Sequence, residues 1–326
     1  MKNIGPFIIN IDDLKLSENE KIVLKNDLVG GIILFAHNYS SKKQLANLIN
    51  DIKSIKENIC ISIDHEGGRI QRILGDFTHL PSLESISKIK DKLLAKKIAY
   101  SSGYIGAYEL SYLGININYS PIVDINHHKE NKLLKDRTFG NDINTIIDLA
   151  SEYIKGTFDG GLLPVLKHYP GHGRVASDSH TTICTSNTSF EDLHTTDLVP
   201  FQTLANTFNQ PQIPIMTSHV QYKKIDDNIV TYSKRWLQDK AKSIFNKKAF
   251  FISDDIEMYS AKYNNGIEIS CEERIMMALN AGCRLIIATT MQNDAIISDK
   301  LSYKYFAEKY FTKNIIEYYE NNHDNM

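Results

Sequence analysis

The sequence predicts an α/β protein folded as a single-domain (β/α)8 TIM barrel. Short apolar runs alternate with longer helical patterns, eight such runs occur in 326 residues, and several are apolar throughout. Continuous apolar runs are typical of strands that are covered on both faces, as in parallel sheets. A chain of about 300 residues buries roughly 75% of its unfolded surface, so a large core is available without disulfides.

The eight predicted strands each span four to seven residues. They are Phe7–Ile11, Gly31–Phe35, Ile59–Ile63, Ile117–Val123, Leu163–Leu166, Ile213–Thr217, Ala249–Ser253 and Cys283–Ala288. The competing architecture is a doubly wound open sheet, which would carry a Gly-rich phosphate loop after the first strand. Asp12-Asp13-Leu14 follows that strand instead, which favours the barrel. We expect one catalytic domain over 1–326, with residues after about 290 forming a C-terminal helical extension.

Capping residues and the 3.6-residue period predict the helices. Ser17 with Glu20 forms a capping-box pattern, and Gly114 is a candidate C-cap of a long helix. Apolar spacing predicts three helix faces. They are Leu94, Ile98, Ile105, Tyr108 and Tyr112; then Ile146, Leu149, Ala150, Tyr153 and Ile154; then Ile275, Ala278 and Leu279.

Composition excludes several classes of partner. The net charge is −2, from 37 basic and 39 acidic residues, so neither nucleic acid nor an anionic membrane is expected. Four cysteines without CxxC spacing are too few for a disulfide framework. The N-terminus lacks the apolar stretch of a signal peptide, and no run approaches the ~18 apolar residues of a membrane span. We therefore expect a cytoplasmic monomer.

Polar residues follow five of the predicted strands. Since the carboxyl ends of barrel strands form the active-site face, five strands delivering ionisable groups to one rim indicate a site. These groups are Asp64-His65-Glu66, Asp124, Lys167-His168, Ser218-His219 and Asp254-Asp255.

The densest polar segment is KHYPGHGRVASDSH, over residues 167–180. Its glycines and proline predict a loop, where catalytic groups concentrate. Asp178 and His180 are two residues apart, so in an extended segment their side chains share a face. A carboxylate beside an imidazole raises its pKa and gives a group that exchanges protons near neutral pH, contributing about 10²–10⁴ in rate. For this pair alone, a surface loop with a local Asx-type hydrogen bond remains an equal alternative.

A zinc site is a second alternative for this region. Its possible ligands are His168, His172, Asp178, His180 and His219. However, HYPGH lies in a predicted loop, so the i, i+4 geometry of a helical HExxH motif does not apply. The metal interpretation is therefore the less favoured one.

Two further segments carry carboxylates. FFISDDIEM is an apolar strand that ends in Asp254 and Asp255, whose side chains point to opposite faces. One can then be a nucleophile toward an anomeric carbon while Asp255 caps a helix. In DHEGGRIQR, Asp64 could accept two sugar hydroxyls, and we expect Glu66 and Arg69 to form an ion pair that locks the turn.

The motifs together resemble glycoside hydrolase family 3, in particular its bacterial single-domain β-N-acetylglucosaminidases (β-N-acetylhexosaminidases) of peptidoglycan recycling. The similarity runs from Gly5 to about Ala288, and KHYPGHG followed by DSH is highly specific for that branch. The motifs, in the order of the family, are GPFIINIDD, VGGIILFAHNY, IDHEGGRIQR, DRTFG, KHYPGHGRVASDSH, MTSHVQY, SDDIEM and ALNAGC.

The resemblance assigns roles to individual residues. It implies Asp254 as nucleophile and His180, backed by Asp178, as general acid/base. The implied sugar-binding residues are Asp64, Arg72, Arg137, Lys167, His168 and, near the N-acetyl group, Met258.

The implied reaction is a retaining double displacement on a small-molecule substrate, N-acetylglucosaminyl-1,6-anhydro-N-acetylmuramic acid with or without peptide. No cofactor and no metal are expected. The alternatives are a metal-dependent barrel hydrolase and a non-catalytic muropeptide-binding protein. Three positions depart from the family pattern: His37 replaces a usual Arg, His65 a common Gln, and Arg284 a usual Asp.

Overall fold

A computed structural model of the chain describes residues 4–128, 130–209 and 211–289. Parallel strands form one sheet around a central axis. These strands are β1 (Phe7–Asn10), β2 (Val29–Leu34), β3 (Cys60–Ile63), β4 (Ile117–Asn118), β5 in two segments (Leu163–Pro164 and Leu166–Tyr169), β6 (Ile215–Thr217), β7 (Phe251–Ser253) and β8 (Cys283–Ile287).

The sheet closes through the two segments of β5. Its order is β5, β4, β3, β2, β1, β8, β7, β6 and again β5. The first segment of β5 pairs with β4 and the second pairs with β6, and every pairing is parallel. The predicted (β/α)8 barrel is therefore confirmed.

The two strands that differ most from their predicted spans, β4 and β5, are both next to or interrupted at a proline. β4 is only two residues long, and Pro121, three residues after it, has no N–H to donate to the ladder. β5 is interrupted at Val165, directly after Pro164, although the Val165 N–H still reaches Ser120 O at 3.0 Å. The irregular backbone on these two neighbouring strands lies next to the segment that carries Lys167 and His168.

Helices surround the barrel, and they follow the strands as predicted. They are α1 (Glu18–Leu24), α2 (Lys42–Ile55), α3 (Leu83–Ser87), α4 (Lys92–Ser111), α5 (Ile143–Asp159), α6 (Phe190–His194), α7 (Leu198–Thr207), α8 (Ala241–Ile244) and α9 (Cys271–Ala281). The capping box of α1 is present, since Ser17 and Glu20 each accept the other's backbone N–H. The predicted apolar faces of α5 and α9 are buried.

The predicted face of α4 is wrong. Leu94, Tyr108 and Tyr112 are exposed, and the buried face carries Ala, Gly and Ser instead. The reason is a close contact with α5, in which a Cβ on Gly103 would lie 2.2 Å from Tyr153 O. Backbones that approach this closely exclude large side chains from the contact. The large apolar residues of α4 therefore do not mark its buried face.

The core has two parts. A large cluster lies between the strands and the helices, and a smaller one fills the barrel interior. The interior cluster consists of Ile8, Ile33, Ile117, Tyr119, Val165, Met216, Ile252, Leu285 and Ile287. The predicted C-terminal extension lies outside the described residues. No helix in the described ranges has the length and apolarity needed to cross a membrane.

The Asn118 side chain links β4 to the end of β3, and we expect it to be important for stability. Its Oδ1 accepts from the His65 N–H at 3.0 Å, and its Nδ2 donates to His65 O at 2.9 Å. Asn118→Ala leaves the buried His65 N–H unpaired and leaves His65 O with only the long 3.5 Å hydrogen bond from the Tyr153 hydroxyl, which should lower the free energy of unfolding by about 1–3 kcal/mol.

Urea unfolding followed by the fluorescence of the single tryptophan, Trp236, measures this loss. The control is Asn141→Ala, at an exposed position, where a change within about 0.5 kcal/mol is expected. Equal stability of the two variants would contradict the prediction.

Candidate active site

A cavity of about 480 Å³ opens at the carboxyl ends of the barrel strands. All nine residues to which the family resemblance gives a role line it, from five different parts of the chain. They are Asp64, Arg72, Arg137, Lys167, His168, Asp178, His180, Asp254 and Met258. The clustering of strand-end polar residues is therefore present in the fold, at the face where it was expected.

A buried ion cluster forms one wall of the cavity. The Lys167 ammonium lies 2.8 Å from Asp64 Oδ1 and 2.7 Å from Glu66 Oε1. Arg137 donates to both oxygens of Glu66, from Nε at 2.9 Å and from a terminal nitrogen at 2.8 Å. Burial by itself would raise the pKa of both carboxyls, but Lys167 and the arginines outweigh it and hold the pKa of Glu66 down to about 2. Both carboxylates therefore stay ionised.

The expected Glu66–Arg69 ion pair is wrong. Arg69 pairs with Asp136 at 2.8 Å and donates to Leu133 O at 2.6 Å. The positive φ angles of Gly67 and Gly68 turn the chain between the two residues, so that Glu66 is buried while the Arg69 side chain is 40% exposed. Sequence proximity suggested the wrong partner, because the real partner of Glu66 lies 71 residues away.

Arg72 lines the cavity beside the ion cluster. Its guanidinium is 3.5 Å from Asp64 Oδ2 and stands 5.5 Å from the ring centre of Phe35. Its Nε has no hydrogen-bond partner among the described residues. Arg72 is thus held beside Asp64 at the cavity, with its Nε buried.

The Asp124 carboxylate fixes the base of the His-rich segment. Oδ2 lies 2.8 Å from His168 Nδ1, and Oδ1 accepts the backbone N–H groups of His168 and His172. Asp124 is fully buried, whereas His168 keeps an edge on the cavity. The contact with Nδ1 leaves His168 Nε2 as the nitrogen available to a ligand.

Asp178 and His180 form a hydrogen-bonded dyad. Asp178 Oδ1 lies 2.7 Å from His180 Nδ1 and also accepts the His180 backbone N–H at 2.9 Å. Burial would raise the pKa of Asp178, but these two contacts with His180 lower it below its ordinary value. With Nδ1 engaged, Nε2 is the nitrogen of His180 that can exchange a proton.

Asp254 and Asp255 follow β7 and have different surroundings. Burial would raise the pKa of Asp254, but three nearby imidazoles and the next backbone N–H lower it below its ordinary value. The imidazoles belong to His168, His219 and His180. The cavity therefore holds an ionised carboxylate surrounded by nitrogen bases.

The Asp255 carboxylate serves the backbone. It accepts the Glu257 N–H at 3.0 Å and the hydroxyl and N–H of Thr289, which lies just after β8. Burial raises its pKa to about 7 despite these contacts. No α-helix begins here, so the expected helix cap is wrong; Asp255 closes an Asx-type turn and links the ends of two strands.

Some cavity residues were missed by the sequence analysis. Tyr119 lies inside a strand predicted only as apolar, and Lys132 and Leu133 lie in a loop with no motif. Thr289 comes after the last predicted strand. Only Tyr119 carried a usable signal, as a phenol at an inward-facing strand position.

The three departures from the family pattern have different surroundings. His37 lines the cavity, stacks on Phe35 at 5.8 Å between ring centres, and lies 2.9 Å from Ile11 O. His65 is buried, which lowers its pKa to about 4. Arg284 lies at the opposite end of the barrel, with its guanidinium 5.7 Å from the ring centre of Phe250. The last contact gives a reason for an arginine at the start of a strand.

Comparisons with known proteins show the family of the chain. Residues 6–309 match the model of the glycosyl hydrolase family 3 N-terminal domain. The chain belongs to glycosyl hydrolase family 3. A β-hexosaminidase of Psychromonas ingrahamii is 36% identical over 301 residues, which cover 92% of this chain and 87% of that protein. A β-hexosaminidase of Haemophilus influenzae is 32% identical over 286 residues, which cover 87% and 79%.

Solved structures of the same family superpose over nearly the whole chain. Native NagZ from Neisseria gonorrhoeae matches with a TM-score of 0.79 and 30% identity, covering 93% of this chain and 90% of that one. Its complex with N-trifluoroacetyl-D-glucosamine matches with a TM-score of 0.81 and 28% identity, covering 98% and 90%. Sequence and fold together make the protein a glycoside hydrolase of the β-N-acetylhexosaminidase type.

Glu66→Gln should reduce stability most strongly above about pH 5. The folded-state pKa of about 2 lies below the ordinary 4.5, so the contribution of Glu66 is complete above pH 4.5 and is lost as the pH falls toward 2. Removing the charge leaves Arg137 and Lys167 under-compensated, at an expected cost of about 2–5 kcal/mol near pH 7.

Chemical unfolding at several pH values measures the difference in the free energy of unfolding between wild type and Glu66→Gln. This difference should become smaller toward pH 2. Glu84→Gln, which breaks a partly exposed pair with Lys88, is the control and should cost less than about 1 kcal/mol. A stability difference for Glu66→Gln that does not change with pH would contradict the low pKa of Glu66.

Proposed function

We propose that the protein is a retaining exo-β-N-acetylglucosaminidase of cytoplasmic peptidoglycan recycling. Its substrate would be N-acetylglucosaminyl-1,6-anhydro-N-acetylmuramic acid, free or carrying a peptide. The observation that carries the proposal is that the Asp178–His180 dyad and the ionised Asp254 line the same cavity. Double displacement requires at least a nucleophile and a general acid/base that line the same cavity.

In the first step an Asp254 oxygen attacks the anomeric carbon. The bond from that carbon to the leaving oxygen breaks, and the leaving oxygen takes the proton from His180 Nε2. Asp178 holds Nδ1 and stabilises the imidazolium form before transfer. The product is a covalent glycosyl ester on Asp254.

In the second step water attacks the same carbon. His180 Nε2 accepts a proton from the water, and the ester bond to Asp254 breaks. Two displacements at one carbon retain its configuration. An imidazole replaces the second carboxylate of most retaining enzymes, so no further negative charge is placed beside the nucleophile.

The ion cluster and its neighbours would bind the terminal sugar. Asp64 has acceptor capacity for sugar hydroxyls, Arg72 lines the cavity beside it, and His168 keeps Nε2 for a ligand. Arg137 and Lys167 hold the carboxylates in place and complete the polar wall. Met258 is an apolar surface at the cavity, suited to the methyl of an N-acetyl group.

The relatives support this choice of sugar. The N. gonorrhoeae structure is described as a complex with N-trifluoroacetyl-D-glucosamine, an N-acylated glucosamine. By analogy, an N-acetylglucosamine would occupy the corresponding cavity here. We further propose that the enzyme acts as a monomer and requires no cofactor.

The metal alternative needs ligands that converge. Within the described ranges, no three His, Cys, Asp or Glu side chains are arranged to hold an ion. The four histidines considered instead contact different partners: Asp124, Ser179, Asp178 and Thr231. This arrangement favours the glycosidase over the metallohydrolase.

Asp254→Ala should lower the turnover of 4-nitrophenyl β-N-acetylglucosaminide by at least about 10³-fold without loss of the fold. The nucleophile is removed, whereas no packed core residue is lost. Initial-rate kinetics and a thermal melt measure the two effects. Asp51→Ala, on the exposed side of α2, is the control and should retain full activity.

The covalent intermediate is tested with a 5-fluoro analogue of N-acetylglucosaminyl fluoride. Mass spectrometry should find one sugar attached to Asp254. Near-normal turnover by Asp254→Ala, or a label on another residue, would show that the nucleophile is misassigned.

EDTA at millimolar concentration should leave the turnover of the purified enzyme unchanged. A metallohydrolase would lose activity and regain it with added zinc. A non-catalytic binding protein would bind N-acetylglucosamine without turnover.

Comparing the muropeptide with the aryl substrate tests the proposed natural substrate. The muropeptide should have the higher kcat/KM.

A further inference from the structure

Ser179 lies between the two members of the dyad and is buried, although it borders the cavity together with them. Its exposed fraction is 1%, whereas the side chain of His180 is 52% exposed. The segment around it has turns and bends but no helix or strand. Its position therefore depends on a small number of contacts.

The Ser179 side chain contacts His172. Ser179 Oγ lies 3.2 Å from His172 Nε2, and the imidazole is 2% exposed. Burial lowers the pKa of His172 to about 4, so the ring is neutral near neutral pH. A neutral imidazole has one N–H, and donation from Nε2 to the serine hydroxyl leaves only an acceptor at the buried Nδ1.

His172 itself is rigidly held. Its backbone N–H donates to Asp124 Oδ1 at 2.9 Å, and its ring packs edge-on against His168. At the next residue, Gly173, a Cβ would lie 1.7 Å from Ile125 O. The backbone here packs closely against the segment after β4. His172 is therefore held in a fixed position and can orient the loop that contacts it.

The Ser179 backbone makes a second contact, on the other side. Its carbonyl accepts the Ser260 N–H at 3.0 Å, and Ser260 Oγ donates to His219 O at 2.7 Å. Ser260 lies six residues after the proposed nucleophile, in a short 3-10 helix (Tyr259–Lys262). Ser179 thus joins the segment after β5 to the segment after β7.

We propose that Ser179 and His172 are positioning residues that aim the His180 imidazole at the leaving oxygen. The inference rests on the proposed roles of His180 and Asp254. The dyad has its own internal hydrogen bonds, so breaking the contact between Ser179 and His172 would displace an intact dyad rather than dismantle it. A displacement of about 1 Å can cost roughly 10²-fold in rate.

A displaced acid has a distinctive kinetic effect. Poor leaving groups need a proton in the transition state, whereas good leaving groups depart without one. A loss of positioning should therefore make kcat/KM more sensitive to the pKa of the leaving group. A general loss of structure would lower kcat/KM equally for all substrates.

The test uses aryl β-N-acetylglucosaminides from phenyl, a poor leaving group, to 2,4-dinitrophenyl, a good one. For Ser179→Ala we expect kcat/KM to fall about 10–100-fold with the phenyl substrate and less than about threefold with the dinitrophenyl substrate. His172→Leu should behave similarly. His172→Gln, whose amide can donate in place of Nε2–H, should recover most of the activity toward the phenyl substrate.

Two further variants complete the series. Ser177→Ala removes a hydroxyl from the same loop that contacts Cys184 instead, and its leaving-group dependence should match that of wild type. His180→Ala removes the acid itself and should show the steepest dependence. Thermal melts of all variants identify any that fail to fold, and either Ser179→Ala or His172→Leu is sufficient for the comparison.

Covalent labelling distinguishes a failure of this inference from a failure of the proposed function. Fluoride departs with little need for an acid, so the 5-fluoro glycosyl fluoride should label Asp254 in both wild type and Ser179→Ala. An unlabelled wild type would overturn the proposed function itself. The positioning role alone would be overturned if wild type is labelled but a folded variant, Ser179→Ala or His172→Leu, does not show the expected dependence on the leaving group. In that case kcat/KM would fall equally for all aryl substrates, or would not fall at all.

Discussion

The Lys167 ammonium, held between Asp64 and Glu66, is the interaction on which the rest of the site depends. It lies on β5, while its partners follow β3, so one buried cation ties together two strands that are separated by β4. Isolated buried charges are very costly, and each charge here is tolerable only because the others are present. The cluster therefore fixes the positions of Asp64 and Arg137 before any ligand arrives, which is the preorganisation that a sugar site requires.

Two further carboxylates, Asp124 and Asp178, hold different parts of the His-rich loop. Asp124 holds the start of the His-rich loop through its backbone and His168, while Asp178 holds only His180. The first carboxylate is completely buried, and the second lies in a partly exposed loop. In the proposed mechanism the rigid part would bind and orient the sugar, and the part that would transfer the proton is attached to it through few contacts.

Much of the fold could be predicted from the sequence, because strand runs, caps and helix periods are local signals. The eight strands, the α1 capping box and the buried faces of α5 and α9 depend on nearest neighbours along the chain. The face of α4 could not be predicted in the same way. It is set by how closely another helix approaches, and the sequence of α4 alone does not contain that distance.

The site shows the same limit. Strand-end carboxylates and histidines were found because the barrel brings every strand end to one rim, whatever the details of packing. Partners were not found reliably: Glu66 pairs with Arg137 rather than Arg69, and Asp255 bonds to Thr289 rather than capping a helix. Such pairings depend on the side-chain directions of residues that are 34 and 71 positions apart, which only the folded chain defines.

The contact between α4 and α5 has a consequence for how this sequence can diverge. At Gly103 and Gly156 the nearest obstacle to a side chain is the backbone of the other helix, Tyr153 O and Tyr100 O respectively. A backbone carbonyl cannot be trimmed by a compensating mutation elsewhere, so a larger residue would require the helices to separate. These two positions should therefore stay invariant for reasons unconnected with catalysis, and their conservation among relatives would record geometry rather than chemistry.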